Sequence, residues 1–355
     1  MILSKPLPVF EELPELVKKI IVEHLDFLTK MSIRLCSKQL KKLVDASKSF
    51  IPSLTLALTV DRNLFELVRL ELDSGPQTGV VELDAEEIDQ NGLSFVRNNI
   101  NRSLLTIGSF QMQILDGTIA NGVTRETYNE RKGFLLQRLN ELLGNPETEP
   151  KLKVHTFSLC FEGDQDFITA MLPHLEPGTL QSIQFSKPVA PFFWRIEVLE
   201  FDTLELDRVV QSEQWKMASG WFESNYLINL VPEHLKHFTH TKTRRQQRFQ
   251  LDEFKHHVEL MIATPTWKSC VIRINTMYAA YEIDQYLNNT FPCISGALNT
   301  FKKYKLTEER DFLTAKSQTV PETYETEFEF RRYGVGGTLR GLSPFLPQAH
   351  YPFLL

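Results

Sequence analysis

Apolar positions between Leu13 and Asp45 recur at steps of three and four. Leu13, Leu16, Val17, Ile20, Ile21 and Leu25 form one wide stripe on a first helix, with Pro14 in its opening turn, where a missing N–H costs nothing. Asp26 and Phe27 interrupt that stripe, and a second short helix carries Leu28, Met31 and Leu35. Ser37 is placed to cap a third helix, with Leu40, Leu43 and Val44 on one face and lysines on the other. Three helices in about 35 residues fall below the roughly 40 at which a single core is usually self-sufficient. Their apolar surface must continue into a neighbour, supplied by this chain or by another.

Beyond residue 53 the period changes to two. "SLTLALTVDRNLFELVRLELDSGPQTGVVELD" alternates apolar and polar residues around a break at Gly75 and Pro76, which predicts a small antiparallel meander. "ETYNERKGFLLQRLNELLG" reads as a helix with Phe134, Leu135, Leu139, Leu142 and Leu143 inward and Gly144 as its stop. The polar, proline-broken "NPETEPK" at 145–151 is the best linker. Strand-like and helical runs then alternate: "KVHTFSLCFE", "DQDFITAMLPHL", "TLQSIQF", "VLEFDTLEL", "VVQSEQWKMASGWF", "HFTHTKT", "QLDEFKHHVELMIAT", "SCVIRI". Such alternation predicts parallel strands with helices packed on them. The expected fold is α+β. A three-helix unit is followed by a β-rich segment and an irregular leucine-rich-repeat-like α/β array, preferred to a doubly wound sheet. The tail offers one charged, edge-like strand in "YETEFEFRRY", then a Gly- and Pro-broken apolar segment.

Composition narrows the function classes. At 355 residues, 42% hydrophobic and 24% charged, the chain has an ordinary globular composition with room for two or three domains. A net charge of -6 argues against nucleic acid as partner, and no apolar run approaches the roughly 18 residues of a membrane span. "MILSKPLPVF" lacks the basic and apolar regions of a secretory signal. Cys36, Cys160, Cys270 and Cys293 are scattered, fitting neither a disulfide framework nor a zinc site. They read as reduced, buried thiols of a cytoplasmic or nuclear protein. The sequons at Asn101 and Asn288 then read as chance matches.

Candidate chemistry is thin. His234, His237 and His240 recur every third residue, but no carboxylate or cysteine completes a metal set, so a helix end running into a strand is expected. His256 and His257, being adjacent, face different ways. "KTRRQQR" at 242–248 reads as a solvated edge or loop rather than a phosphate site. "GVGG" at 334–337 lacks the flanking strand, helix and Lys-Ser/Thr of a phosphate loop. Trp194, Trp215, Trp221 and Trp267 read mostly as core, and Phe192, Phe193 and Trp194 as a loop plugging that core. No metal, cofactor or active-site constellation is expected.

The opening stretch, "LPELVKKIIVEHLDFLTKMSIRLCSKQLKKLVD", resembles an F-box, the module that binds the Skp-type adaptor of SCF ubiquitin ligases. Leu13 and Pro14 match the family's Leu-Pro start, Ile20 and Leu25 its first-helix anchors, and Leu35 with Cys36 its apolar-Cys pair. Leu40 stands where many members carry an aromatic. Farther on, "LEPGTLQSIQF", "SEQWKMASGW", "HLKHFTHTK" and "WKSCVIRI" lie in the order seen in the FTH domain of the nematode F-box A family, over about Lys151 to Phe291. The resemblance implies an F-box at 1–49, a connecting region at 50–150, an FTH-like domain at 151–291 and a tail at 292–355. It implies an adaptor surface of Leu13, Pro14, Leu16, Val17, Ile20, Leu25, Leu35, Cys36 and Leu40. A cullin would be reached through the adaptor, and a target protein held by the C-terminal domain. This is the non-catalytic substrate receptor of a ubiquitin ligase. The alternative is a decoy or scaffold whose helices only cap the fold. Exposure discriminates the two: a receptor leaves Leu13, Pro14, Ile20 and Leu25 partly uncovered, and a cap buries them.

Overall fold

A computed structural model describes residues 10–60, 66–73, 78–84, 104–116, 125–148, 150–161, 164–187, 203–228, 230–244, 251–264, 266–274, 279–295, 302–306, 312–320 and 325–333. The chain divides into two compact units, 1–246 and 247–355.

The first unit opens with α1 (Glu15–His24), α2 (Phe27–Arg34) and α3 (Lys38–Ala46). Local chemistry sets their ends. Asp26 accepts from the Thr29 N–H at 2.9 Å and caps α2, and Ser37 accepts from Leu40 and caps α3 as its sequence position suggested. Pro14 sits one residue before α1 rather than inside its first turn, and its carbonyl accepts from Val17 and Lys18. Phe27, read as a break, is the first residue of α2 and is buried.

The antiparallel meander follows as β1 (Ser49–Val60), β2 (Glu66–Asp73) and β3 (Thr78–Asp84). β1 also pairs in parallel with β4 (Leu105–Asp116), and from there the strands add in chain order, all parallel. They are β5 (Lys153–Cys160), β6 (Ser182–Ser186), β8 (Trp221–Ile228) and β9 (His240–Arg244), with the two-residue β7 (Thr203–Leu204) beside β8. No reversal of strand order, as a doubly wound sheet requires, occurs among these described strands. The connections carry α4 (Arg125–Leu143), α5 (Gln165–Met171), α6 (Glu213–Met217) and short 3-10 turns.

One face of this sheet is the core. Leu54, Phe110, Phe157, Ile183 and Phe222 stand in register across five strands, all with no exposed surface. Trp215 of α6 packs edge-on against Phe222 and Phe238, with centroids 5.0 and 5.2 Å away. The inward phase slips by one residue at the same level in three neighbours, at Pro52 and Ser53, at Gly108 and Ser109, and at His155 and Thr156. Gly108 is needed there, because a Cβ would lie 2.7 Å from the Pro52 carbonyl oxygen. On α4, Leu135, Leu139 and Leu143 point inward as expected and Gly144 ends the helix at a positive φ of 78°. Phe134 does not: one position off that stripe, it is exposed beneath the Arg138 guanidinium. The side chain of Leu142 lies outside the described residues.

The second unit holds α7 (Leu251–Ala263), β10 (Ser269–Ile274), α8 (Ala279–Thr290), β11 (Cys293–Ser295), β12 (Lys302–Lys305), β13 (Phe312–Val320) and β14 (Glu325–Tyr333). The strands pair antiparallel in the order β11-β12-β13-β14-β10. β14, expected at an edge because it is charged, has partners on both sides. Phe328 and Phe330 face Phe254 of α7, while Glu327 pairs with Arg273 at 2.8 Å and Glu329 with Arg331. Charges paired across strands, as Glu327 with Arg273, or along one strand, as Glu329 with Arg331, let a charged strand sit inside a sheet.

Candidate functional site

In α1, one lysine faces inward while three apolar residues face outward. Its buried residues are Lys18 and Val22, whereas Leu16 is 70% exposed, Ile20 46% and Val17 38%. An amphipathic helix normally turns leucine inward and lysine outward. Lysine stems cover apolar neighbours while the head seeks polar groups, so an inward Lys18 is tolerable. The outward Leu16, Val17 and Ile20 have no such account unless a second surface covers them.

The neighbouring helices extend that patch. α2 closes in a tight turn, where the Leu35 and Cys36 N–H groups donate to the Ser32 and Ile33 carbonyls. This turn presents Leu35, 83% exposed, together with an exposed Cys36. Pro14 is exposed; Leu13, Leu25 and Leu40 are half-buried. All nine predicted surface residues therefore retain exposed area, and the small core beneath them is Val22, Phe27 and Val44. Arg34 and Asp45 tie α2 to α3 at 2.7 Å. Burial pushes the Asp26 carboxyl up, but the Thr29 hydroxyl and amide outweigh it and hold the carboxyl below its usual range.

A second surface emerges on the sheet face opposite the core. Thr55, Gln111, Ser158, Gln184, Glu223 and Lys242 form one registered row across six strands, each half-exposed. Ser158 bonds Gln184 at 3.0 Å, and Lys242 pairs with Glu223 at 2.7 Å. This row was not read from the sequence. Its signal is the alternation of hydroxyl and amide side chains between the apolar positions of each strand.

The weighed chemistry stays structural. His234 ends a 3-10 turn and its carbonyl accepts from the Trp215 indole; His237 bonds the Trp215 carbonyl at 2.8 Å; His240 stacks on Trp221. Burial lowers the His237 pKa, against the Trp215 carbonyl bond that favours the charged form. Among the described residues no three His, Cys, Asp or Glu side chains are placed to hold a metal ion. Cys270 is buried against His257 at 3.4 Å, and Cys160 is half-buried. Cys36 and Cys293 are exposed, correcting the expectation that all the thiols are buried; none of the four is in a disulfide. Trp215 and Trp267 are core. Phe192, Phe193, Trp194, residues 245–248 and the "GVGG" segment lie outside the described residues. No described helix is long and apolar enough to cross a membrane.

Comparison with known proteins agrees with the placement of the helices. The family model of the F-box domain matches residues 10–52, and that of the FTH domain matches residues 136–289. No curated protein and no solved structure matches the chain.

Proposed function

We propose that this chain, an F-box/FTH protein by its N-terminal F-box and C-terminal FTH domain, is the target-binding subunit of an SCF-type ubiquitin ligase. The F-box itself implies a role in substrate recognition by such a ligase. The finer assignment is that α1 to α3 grip a Skp-type adaptor and, through it, a cullin, while the parallel array, taken as an irregular leucine-rich-repeat-like unit, holds a target protein. The chain then does no chemistry. It raises the effective concentration of a target lysine beside the charged conjugating enzyme.

The observation that carries this reading is the outward apolar face of α1. A cap would bury Leu16, Val17 and Ile20 against the array, and instead they are the exposed side of a helix whose inward side carries Lys18. The half-exposed polar row on the sheet face opposite the core supports the second half, since its hydroxyl, amide and charged side chains can exchange hydrogen bonds with a partner.

The test is affinity purification of the intact chain and of Leu16→Asp from cells, read by mass spectrometry. Leu16→Asp should lose the adaptor and cullin, keep the co-purifying targets and slow their turnover. Retained adaptor, or targets lost together with it, contradicts the proposal.

A further inference from the structure

Lys30 lies on the inward side of α2 with 2% of its surface exposed. Its ammonium donates to the Lys48 carbonyl at 2.7 Å and to the Glu23 carbonyl at 3.4 Å. Glu23 belongs to the last turn of α1, and Lys48 follows Ser47, the C-cap of α3. The final carbonyls of a helix lack partners within it and carry the negative end of its dipole. The end of α1 and the junction between α3 and β1 thus converge on one cation, which α2 supplies. Lys48 also precedes β1, whose first N–H, that of Ser49, bonds the Leu104 carbonyl just before β4.

A buried ammonium is costly unless its donors are met. Burial lowers the Lys30 pKa, with Glu23 and Asp26 offsetting part of that effect. An apolar side chain would fill the same space at no such cost. What the cation adds is direction: a bond to a fixed carbonyl sets orientation, whereas apolar contact tolerates sliding.

We propose that Lys30 is a positioning residue that fixes the angle at which the three F-box helices leave the strand array. Its consequence for ubiquitin transfer rests on the receptor reading above, but the angle can be measured without any adaptor. The experiment uses the full chain with Cys36, Cys160 and Cys293 replaced by Ser. Nitroxides are attached at Lys41→Cys on α3 and Asn140→Cys on α4, both exposed sites. Double electron–electron resonance reads the distance distribution between them.

Lys30→Met should widen that distribution by about twofold through local opening of the helix–array junction, with helical circular dichroism unchanged. Lys30→Arg, which keeps a cation and several donors, should restore the narrow distribution. An unchanged width in folded Lys30→Met overturns the proposal. If Lys30→Met does not fold, Lys30→Leu, which likewise removes both bonds, is read by the same criterion. Titrating wild type with purified Skp-type adaptor separates the two claims: absent binding refutes the receptor reading and leaves the Lys30 result standing.

Discussion

Truncating Leu16 and Ile20 together to alanine should cost adaptor affinity about a hundredfold and folding stability at most about 2 kcal/mol. Each substitution removes three carbons, worth about 0.8 kcal/mol apiece when fully withdrawn from water. Leu16 is 70% exposed in the free chain and Ile20 46%, so those fractions remain to be covered on docking. The product is about 3 kcal/mol of lost burial, and every 1.4 kcal/mol is about tenfold in Kd. The fractions already covered in the free chain set an upper bound of about 2 kcal/mol on the folding cost. Isothermal titration against a Skp-type adaptor and urea denaturation of the same protein give both numbers. Affinity held within threefold of wild type would show that the adaptor does not use this face. A fall in folding stability well beyond about 2 kcal/mol would show that the helices cap the array in solution.

His174 tests the array's interior through pH. Burial holds its imidazole neutral, with a pKa pushed down from 6.5 to about 4. A depressed folded pKa means stability that is full above the unfolded value and lost as pH falls from 6.5 towards 4. His174→Gln should therefore flatten the urea-midpoint profile across that window; a profile of unchanged slope would contradict the assignment. Gly108→Ala places a Cβ 2.7 Å from the Pro52 carbonyl oxygen, a backbone atom that cannot swing away. It should destabilise the chain by about 1–3 kcal/mol in chemical denaturation, and a neutral outcome would mean that the shared strand slip is plastic.

Which parts of this molecule were legible in the sequence follows from where its periodicities are clean. Ser37, Gly144 and the meander were readable because capping, positive φ and alternation are local. The three short helices were readable too, but which way α1 faces was not. Its stripe is apolar on steps of three and four whether it meets the array or a partner, and only the folded chain shows Lys18 inward and Leu16 outward. β4 was missed because its apolar phase slips at Gly108 and Ser109, which erases the alternation across the strand. β14 was misplaced at an edge because Glu327, Glu329 and Arg331 look solvated until Arg273 appears opposite Glu327. Lys30 carried no signal at all: a lysine in a short polar-looking helix is ordinarily exposed, and its two carbonyl partners come from the end of α1 and the α3–β1 junction.

The most direct test of the central claim is calorimetric titration of the intact chain with a purified Skp-type adaptor at several temperatures. Covering Leu16, Val17, Ile20 and Leu35 predicts a saturable one-to-one complex with a negative heat-capacity change, the marker of apolar burial. An absence of saturable heat at every temperature, with the chain folded, would contradict it.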